Sequence, residues 1–171
     1  MGKFGFGSHR ATDGEENKSS RTMEAAIGLY IAGAEVGRAD GDFDEKERSA
    51  LSNHMMAIAA NSKSKFVADA AFTCARWEEM REVYNQDKRS HRDHLGDLRA
   101  MMELIEKEDK FRYIIAFVST TRVVGDASGG GWFNSETFSD KERQVSAAMW
   151  STLFNQTELD EAITWVRQYG K

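Results

Sequence analysis

The chain of 171 residues contains no proline and a single cysteine, Cys74. Proline interrupts helices more strongly than any other residue, so its absence permits long helices throughout the chain. One cysteine excludes an intramolecular disulfide and any zinc or redox site built from two or more thiols. We therefore expect a reducing, cytoplasmic location and an inert, packed thiol at Cys74. The sequence also lacks an apolar run long enough for a membrane span.

The N-terminal segment 1–21 lacks the continuous apolar core of a secretory signal. It combines glycines and polar residues with two aromatic side chains, Phe4 and Phe6. This composition predicts a flexible tail over 1–21, followed by one helical domain over 22–171. The alternative is that the two phenylalanines anchor the tail to the domain or to a partner.

The charge of the chain is mildly acidic, with a formal net charge of −5 and no basic stripe. This balance argues mildly against a nucleic-acid-binding surface. We expect protein partners and no nucleic acid. The sequence contains no phosphate-cradling loop of the Walker type and no nucleophile–base motif, so we do not expect an enzyme.

Apolar residues recur at helical spacing through most of the chain, whereas strict alternation is nearly absent. The pattern predicts an all-α fold, a single-domain bundle of about seven helices. The first helix is expected to begin after Thr22 and to end near Ala39. A second helix opens at Asp44, and the last runs from a Thr157 cap to Gly170.

A short acidic phrase occurs twice between helix patterns. Residues 43–48 read Phe-Asp-Glu-Lys-Glu-Arg, and residues 138–143 read Phe-Ser-Asp-Lys-Glu-Arg. Each copy has the spacing of a capping box, in which a serine or aspartate precedes a glutamate by three residues. An aspartate lies before each copy, Asp40 in the first and Asp126 in the second. The repetition predicts two related halves with similar acidic corners.

The first corner places carboxylates on alternate residues, Asp40, Asp42 and Asp44, with Glu47 one turn into the next helix. Oxygen ligands of this kind suit Ca²⁺ or Mg²⁺ better than Zn²⁺. A capping box explains Asp44 and Glu47 without any metal. It does not explain Asp40 and Asp42, which crowd like charges that a cation would relieve.

Residues 39–47, Ala-Asp-Gly-Asp-Phe-Asp-Glu-Lys-Glu, follow a helix rich in small residues and resemble the signature of the tellurite-resistance TerB-like family. The resemblance implies an all-helical domain of two similar halves whose acidic corners bind divalent metal. The implied function is a divalent-cation-binding interaction module in a tellurite-resistance or stress-response system. The metal ligands that the resemblance implies are Asp40, Glu47, Asp126 and Glu142. Two further residues could supply oxygen ligands, Asp42 and Asp44.

The second corner departs from the first. Eleven residues separate Asp126 from Phe138, whereas two separate Asp40 from Phe43, and Ser139 stands in the place of an aspartate. The nine additional residues of the second corner are rich in glycine. They either widen the second half-site or give it a different arrangement of ligands. The alternative function is a structural or assembly protein without functional metal, with Trp132 and Phe133 in this segment, together with the N-terminal tail, as contacts.

The histidines offer a weaker alternative metal site. His91 and His94 have helical spacing, but no further histidine or cysteine accompanies them, so a solvated helix face is the expected environment. His54 lies on an apolar stripe and is expected to be a hydrogen-bonded core histidine.

Overall fold

The structure, a computed structural model, describes residues 5–128 and 139–170, with side chains over 17–127 and 139–170. All regular secondary structure in these ranges is helical, as the sequence predicts. The helices are α1 (Gly5–Arg38), α2 (Glu45–Asn61), α3 (Lys65–Cys74), α4 (Trp77–Gln86), α5 (His91–Met102), α6 (Lys107–Ser128), α7 (Asp140–Leu153) and α8 (Gln156–Tyr169). None of the described helices is both long and apolar enough to cross a bilayer.

The expected number of about seven helices is too low, because eight lie within the described ranges. The additional helix is α4, which begins three residues after α3 ends at Cys74. The sequence pattern merged its start with α3, because Trp77 continues the apolar stripe of that helix. The remainder of α4 is rich in charge, and Met80 is its one buried residue. Four of its ten residues, Glu78, Glu79, Arg81 and Glu82, are charged, so the segment did not stand out as an apolar helix in the sequence.

Helix α1 begins at Gly5, well before the expected Thr22 cap. No proline stands in this segment to stop a helix that is already stabilised by packing further along. The boundary between a tail and a domain at residue 21 stays a prediction. The end of α1 at Arg38 agrees with the expected turn at Asp40 and Gly41.

Helix α1 lies at the centre of the bundle and packs against α2 through α7. Its segment 25–34 is buried on every side, which the small residues of this stretch permit. The second long helix, α6, packs against α1, α2, α3, α7 and α8. Tyr113 of α6 donates a buried hydrogen bond to the carbonyl oxygen of Ala25 at 2.7 Å, which joins the two central helices.

Cys74 is buried as predicted, whereas His54 is hydrogen-bonded as predicted but only half-buried. Nε2 of His54 lies 2.9 Å from Oγ of Ser119, and burial lowers the pKa of this histidine. Cys74 is a free and buried thiol, and burial raises its pKa. Neither side chain has the exposed, electropositive surroundings of a reactive group.

Candidate metal centre

The acidic corner between α1 and α2 is built around a capping box. Oδ1 of Asp44 accepts a hydrogen bond from the backbone N–H of Glu47 at 2.9 Å, and Oε2 of Glu47 accepts one from the backbone N–H of Asp44 at 2.8 Å. These bonds satisfy amides at the start of α2 that have no partner within the helix. The local structure predicted from these two residues is therefore confirmed.

The second phrase forms the same motif at the start of α7. Oγ of Ser139 accepts from the N–H of Glu142 at 3.2 Å, and Oε2 of Glu142 accepts from the N–H of Ser139 at 2.7 Å. Each box holds the glutamate side chain folded back over the first turn of its helix. The N-termini of α2 and α7 therefore each present a positioned carboxylate, which the helix dipole favours.

The tertiary structure brings these two glutamates together with Asp40. One carboxylate oxygen from each of Asp40, Glu47 and Glu142 lies within 4.8 Å of the other two. Glu47 is 1% exposed and Glu142 is 0% exposed, whereas Asp40 is open to solvent. Among the residues that the structure describes, no other set of three acidic, histidine or cysteine side chains converges in this way. We refer to these three residues as the acidic triad.

Three of the predicted ligands lie outside the triad. Asp42 and Asp44 are exposed, and the Asp44 carboxylate caps α2. Asp126 lies inside the last turns of α6 rather than in a corner, and it faces a cavity that also contains Arg143. The sequence analysis matched Asp126 with Asp40. Asp40 follows the end of α1 at Arg38, whereas Asp126 lies within α6, which ends at Ser128. Residues 129–138, with Trp132 and Phe133, lie outside the described ranges.

The electrostatics of the triad centre on Glu47. Burial is the main cause that raises its pKa to about 7, and the nearby carboxylates of Asp44, Asp40 and Glu142 raise it further. The hydrogen bond from the backbone of Asp44 opposes this change. Without a bound cation, the Glu47 carboxyl therefore holds its proton to a higher pH than an ordinary glutamate does. A divalent cation would compete with that proton for the same oxygens.

The structure also identifies Gly37 as a residue of this corner, which the sequence reasoning missed. A Cβ atom at this position would overlap the ring of Phe43 and lie 3.1 Å from Oε2 of Glu47. Its hydrogen side chain lets the last turn of α1 approach the start of α2. The available signal was the four-residue spacing of Gly33 and Gly37, which places both on one face of α1.

His91 and His94 were both expected on a solvated helix face, and this prediction is correct for His91 only. His91 is exposed, but His94 is 1% exposed and packs against the ring of Tyr84. Its Nδ1 lies 3.4 Å from Oε1 of Glu24 on α1, which explains how a histidine tolerates this depth. The expectation for His94 failed because its partner comes from a helix far away in sequence.

Comparison of the chain with family models, with curated protein sequences and with solved structures yields no match. The resemblance to the TerB-like family therefore stays a prediction that rests on residues 39–47. The acidic triad is supported by its own geometry.

Proposed function

We propose that this chain is a divalent-cation-binding helical domain and that the acidic triad holds the cation. The observation that carries this proposal is the convergence of Glu47 and Glu142, two buried glutamates from distant parts of the chain, within 4.8 Å of Asp40. Buried like charges are costly unless a proton or a cation neutralises them. A divalent cation bound by the three carboxylates would offset two of their negative charges.

The donor set favours Mg²⁺ or Ca²⁺ over transition metals. All three donors are hard carboxylate oxygens, and neither a histidine nor a cysteine belongs to the group. Mg²⁺ commonly uses one or two protein carboxylates and retains several waters, while Ca²⁺ requires more oxygen ligands. The exposed side of the triad, at Asp40, is open to the waters that would complete either coordination shell.

The cation would connect parts of the bundle that are remote in sequence. Asp40 follows α1, Glu47 lies in the first turn of α2, and Glu142 lies in the first turn of α7. A shared ion at this point would join the two related halves predicted from the repeated phrase. Occupancy would also reduce the negative charge that this face offers to a protein partner, as expected of a cation-dependent interaction module in a stress-response or tellurite-resistance system.

Titration calorimetry with Ca²⁺ and Mg²⁺ tests the site directly. We expect the native chain to bind at least one of these ions and Glu142→Gln to weaken that binding by about tenfold or more, because a charged ligand is lost. Glutamine at this position can still accept the capping hydrogen bond, so the fold should be retained. Asp42→Asn removes one negative charge from the corner between α1 and α2, outside the triad, and serves as the matched control. Binding that is absent in the native chain, or equal in both variants, would favour an assembly protein without functional metal.

The raised pKa of Glu47 predicts a specific pH dependence in cation-free buffer. The folded chain holds the Glu47 proton up to a pKa of about 7, whereas the ordinary value is 4.5. Folding therefore takes up a proton between these values, and the stabilisation present below pH 4.5 is lost as the pH rises through about 7. The free energy of unfolding, measured against pH in chelator, should fall across this window relative to that of Glu47→Gln. Parallel curves for the two proteins would contradict the assignment.

A further inference from the structure

A second site is indicated by a cavity of about 410 Å³ between α6 and α7. Its volume falls within the range of small-molecule sites. Its walls combine positive, aromatic and hydroxyl side chains, and the lining residues are Arg122, Asp126, Arg143, Ser146 and Trp150. Asp126 is the one residue of this set that the sequence analysis associated with a ligand.

The charged groups of this cavity have no ion-pair partners among the described residues. Arg122 and Arg143 are both exposed, and neither forms an ion pair within 4.0 Å there; the same holds for Asp126. By contrast, Arg89 and Arg112 elsewhere in the bundle are each paired with carboxylates. Two guanidinium groups against one carboxylate leave the cavity locally positive in a chain whose formal net charge is −5. This surplus favours an anionic ligand.

The hydroxyl of Ser146 supplies an independent indication of a ligand. Ser146 is 1% exposed and lies in the cavity wall, and its Oγ has no hydrogen-bond partner in the part of the chain that the structure describes. Buried hydroxyl groups are nearly always hydrogen-bonded, and leaving one without a partner is costly. Oγ is covered in this structure, so a ligand oxygen that displaced the atoms over it would accept this hydrogen bond.

The aromatic wall adds a surface for an apolar group. The Arg122 guanidinium lies over the Trp150 ring at 5.9 Å from its centroid, and Nε1 of Trp150 donates to Oγ1 of Thr121 at 3.3 Å. These contacts hold the indole ring in place beside the two arginines. A flat or apolar ligand body could pack against it while an anionic group meets the guanidinium groups.

We propose that this cavity binds a small phosphate monoester, with its phosphoryl oxygens held by Arg122, Arg143 and the hydroxyl of Ser146. Three donor groups match three terminal phosphoryl oxygens, whereas a carboxylate offers two. Trp150 packs against the organic part of the ligand. Asp126 accepts a hydrogen bond from a ligand hydroxyl. Inorganic phosphate that is fully ionised offers no such donor, so the Asp126 carboxylate repels it.

The test is titration of the native chain with AMP, ribose 5-phosphate and inorganic phosphate in the presence of chelator, which separates this site from the acidic triad. Both esters should bind more tightly than inorganic phosphate, because they alone contact Trp150 or Asp126. Arg143→Ala should weaken ester binding by about ten- to a hundredfold, the effect of losing a charge-assisted contact. Arg167→Ala removes an exposed arginine of α8 that has no ion pair among residues 17–127 and 139–170, and it should leave ester binding unchanged.

Ser146→Ala distinguishes a ligand contact from a structural role. Its Oγ forms no hydrogen bond among the described residues. The midpoint of thermal unfolding of the variant should therefore equal or exceed that of the native chain. Ester binding should nevertheless weaken by about three- to tenfold, the effect of one neutral hydrogen bond. No binding of either ester at concentrations on the order of 10 mM would overturn the proposal. Equal losses in Arg143→Ala and Arg167→Ala would overturn it as well.

Discussion

Gly28→Ala is expected to destabilise the fold by about 2–5 kcal/mol, the sum of an overpacking cost and a lost buried hydrogen bond. Gly28 lies on α1 where α5 and α6 cross it, and an added Cβ would overlap Cδ2 of Leu98 and the hydroxyl oxygen of Tyr113. The same hydroxyl donates to the carbonyl of Ala25 at 2.7 Å, within the turn of α1 that precedes Gly28. Both neighbours are buried, so neither can move away without disturbing the core.

The matched control for this substitution is Gly96→Ala on α5. A Cβ at Gly96 meets no atom within 4 Å, and the residue is exposed. Alanine should therefore stabilise the helix by about 0.5–1 kcal/mol, because glycine loses more backbone freedom on folding. Urea unfolding of both variants measures the contrast. A similar change in both would show that helix propensity, rather than the crossing at Gly28, decides the outcome.

Arg89→Met is expected to cost about 1–3 kcal/mol at neutral pH, less than the loss of a deeply buried ion pair because the side chain is partly exposed. Arg89 joins three segments through its guanidinium group. Its Nη2 lies 2.8 Å from Oδ2 of Asp87 and 3.3 Å from Oε2 of Glu24, and its Nη1 contacts Asp97. Beneath it, the buried His94 lies 3.4 Å from both Glu24 and Asp87. Without the Arg89 guanidinium, the carboxylates of Glu24, Asp87 and Asp97 lose the positive charge that they share.

This network also predicts how the effect of Arg89→Met depends on pH. Hydrogen bonds from Arg89 hold the pKa of Asp87 well below its ordinary value of 3.8. A lowered pKa contributes stability above the ordinary value, and that stability is lost as the pH falls below it. The difference in unfolding free energy between the native chain and Arg89→Met should therefore be largest at neutral pH and shrink below pH 3.8. Arg167→Met is the control, with an expected change within about 0.5 kcal/mol. A native-to-variant difference that grows toward low pH would contradict this account.

The features read correctly from the sequence depend on neighbouring residues. The boxes at Asp44 and Ser139 were predicted because capping acts over three residues, and the structure contains both. The same applies to the end of α1 near Asp40 and to the stop at Gly170. The all-α class followed from helical spacing repeated along the chain.

The errors have two kinds of cause. Helix α4 was merged with α3 because Trp77 continues the apolar stripe of α3 and the rest of α4 is rich in charge. His94 looked solvated because its carboxylate partner Glu24 lies on α1. Asp126 lies within the last turn of α6 rather than after it, and its role as a metal ligand stays a prediction.

The candidate metal centre shows this division most clearly. Asp40 and Glu47 could be proposed as ligands from the acidic corner that contains them, and Glu142 from the resemblance to the TerB-like family. That two boxes so far apart in the chain would bring their glutamates together, and that Asp42 and Asp44 would stay outside, depends on how α2 and α7 pack at the end of α1. Local hydrogen bonding sets the direction of a side chain, whereas burial and the meeting of charges arise only when separate helices share one core.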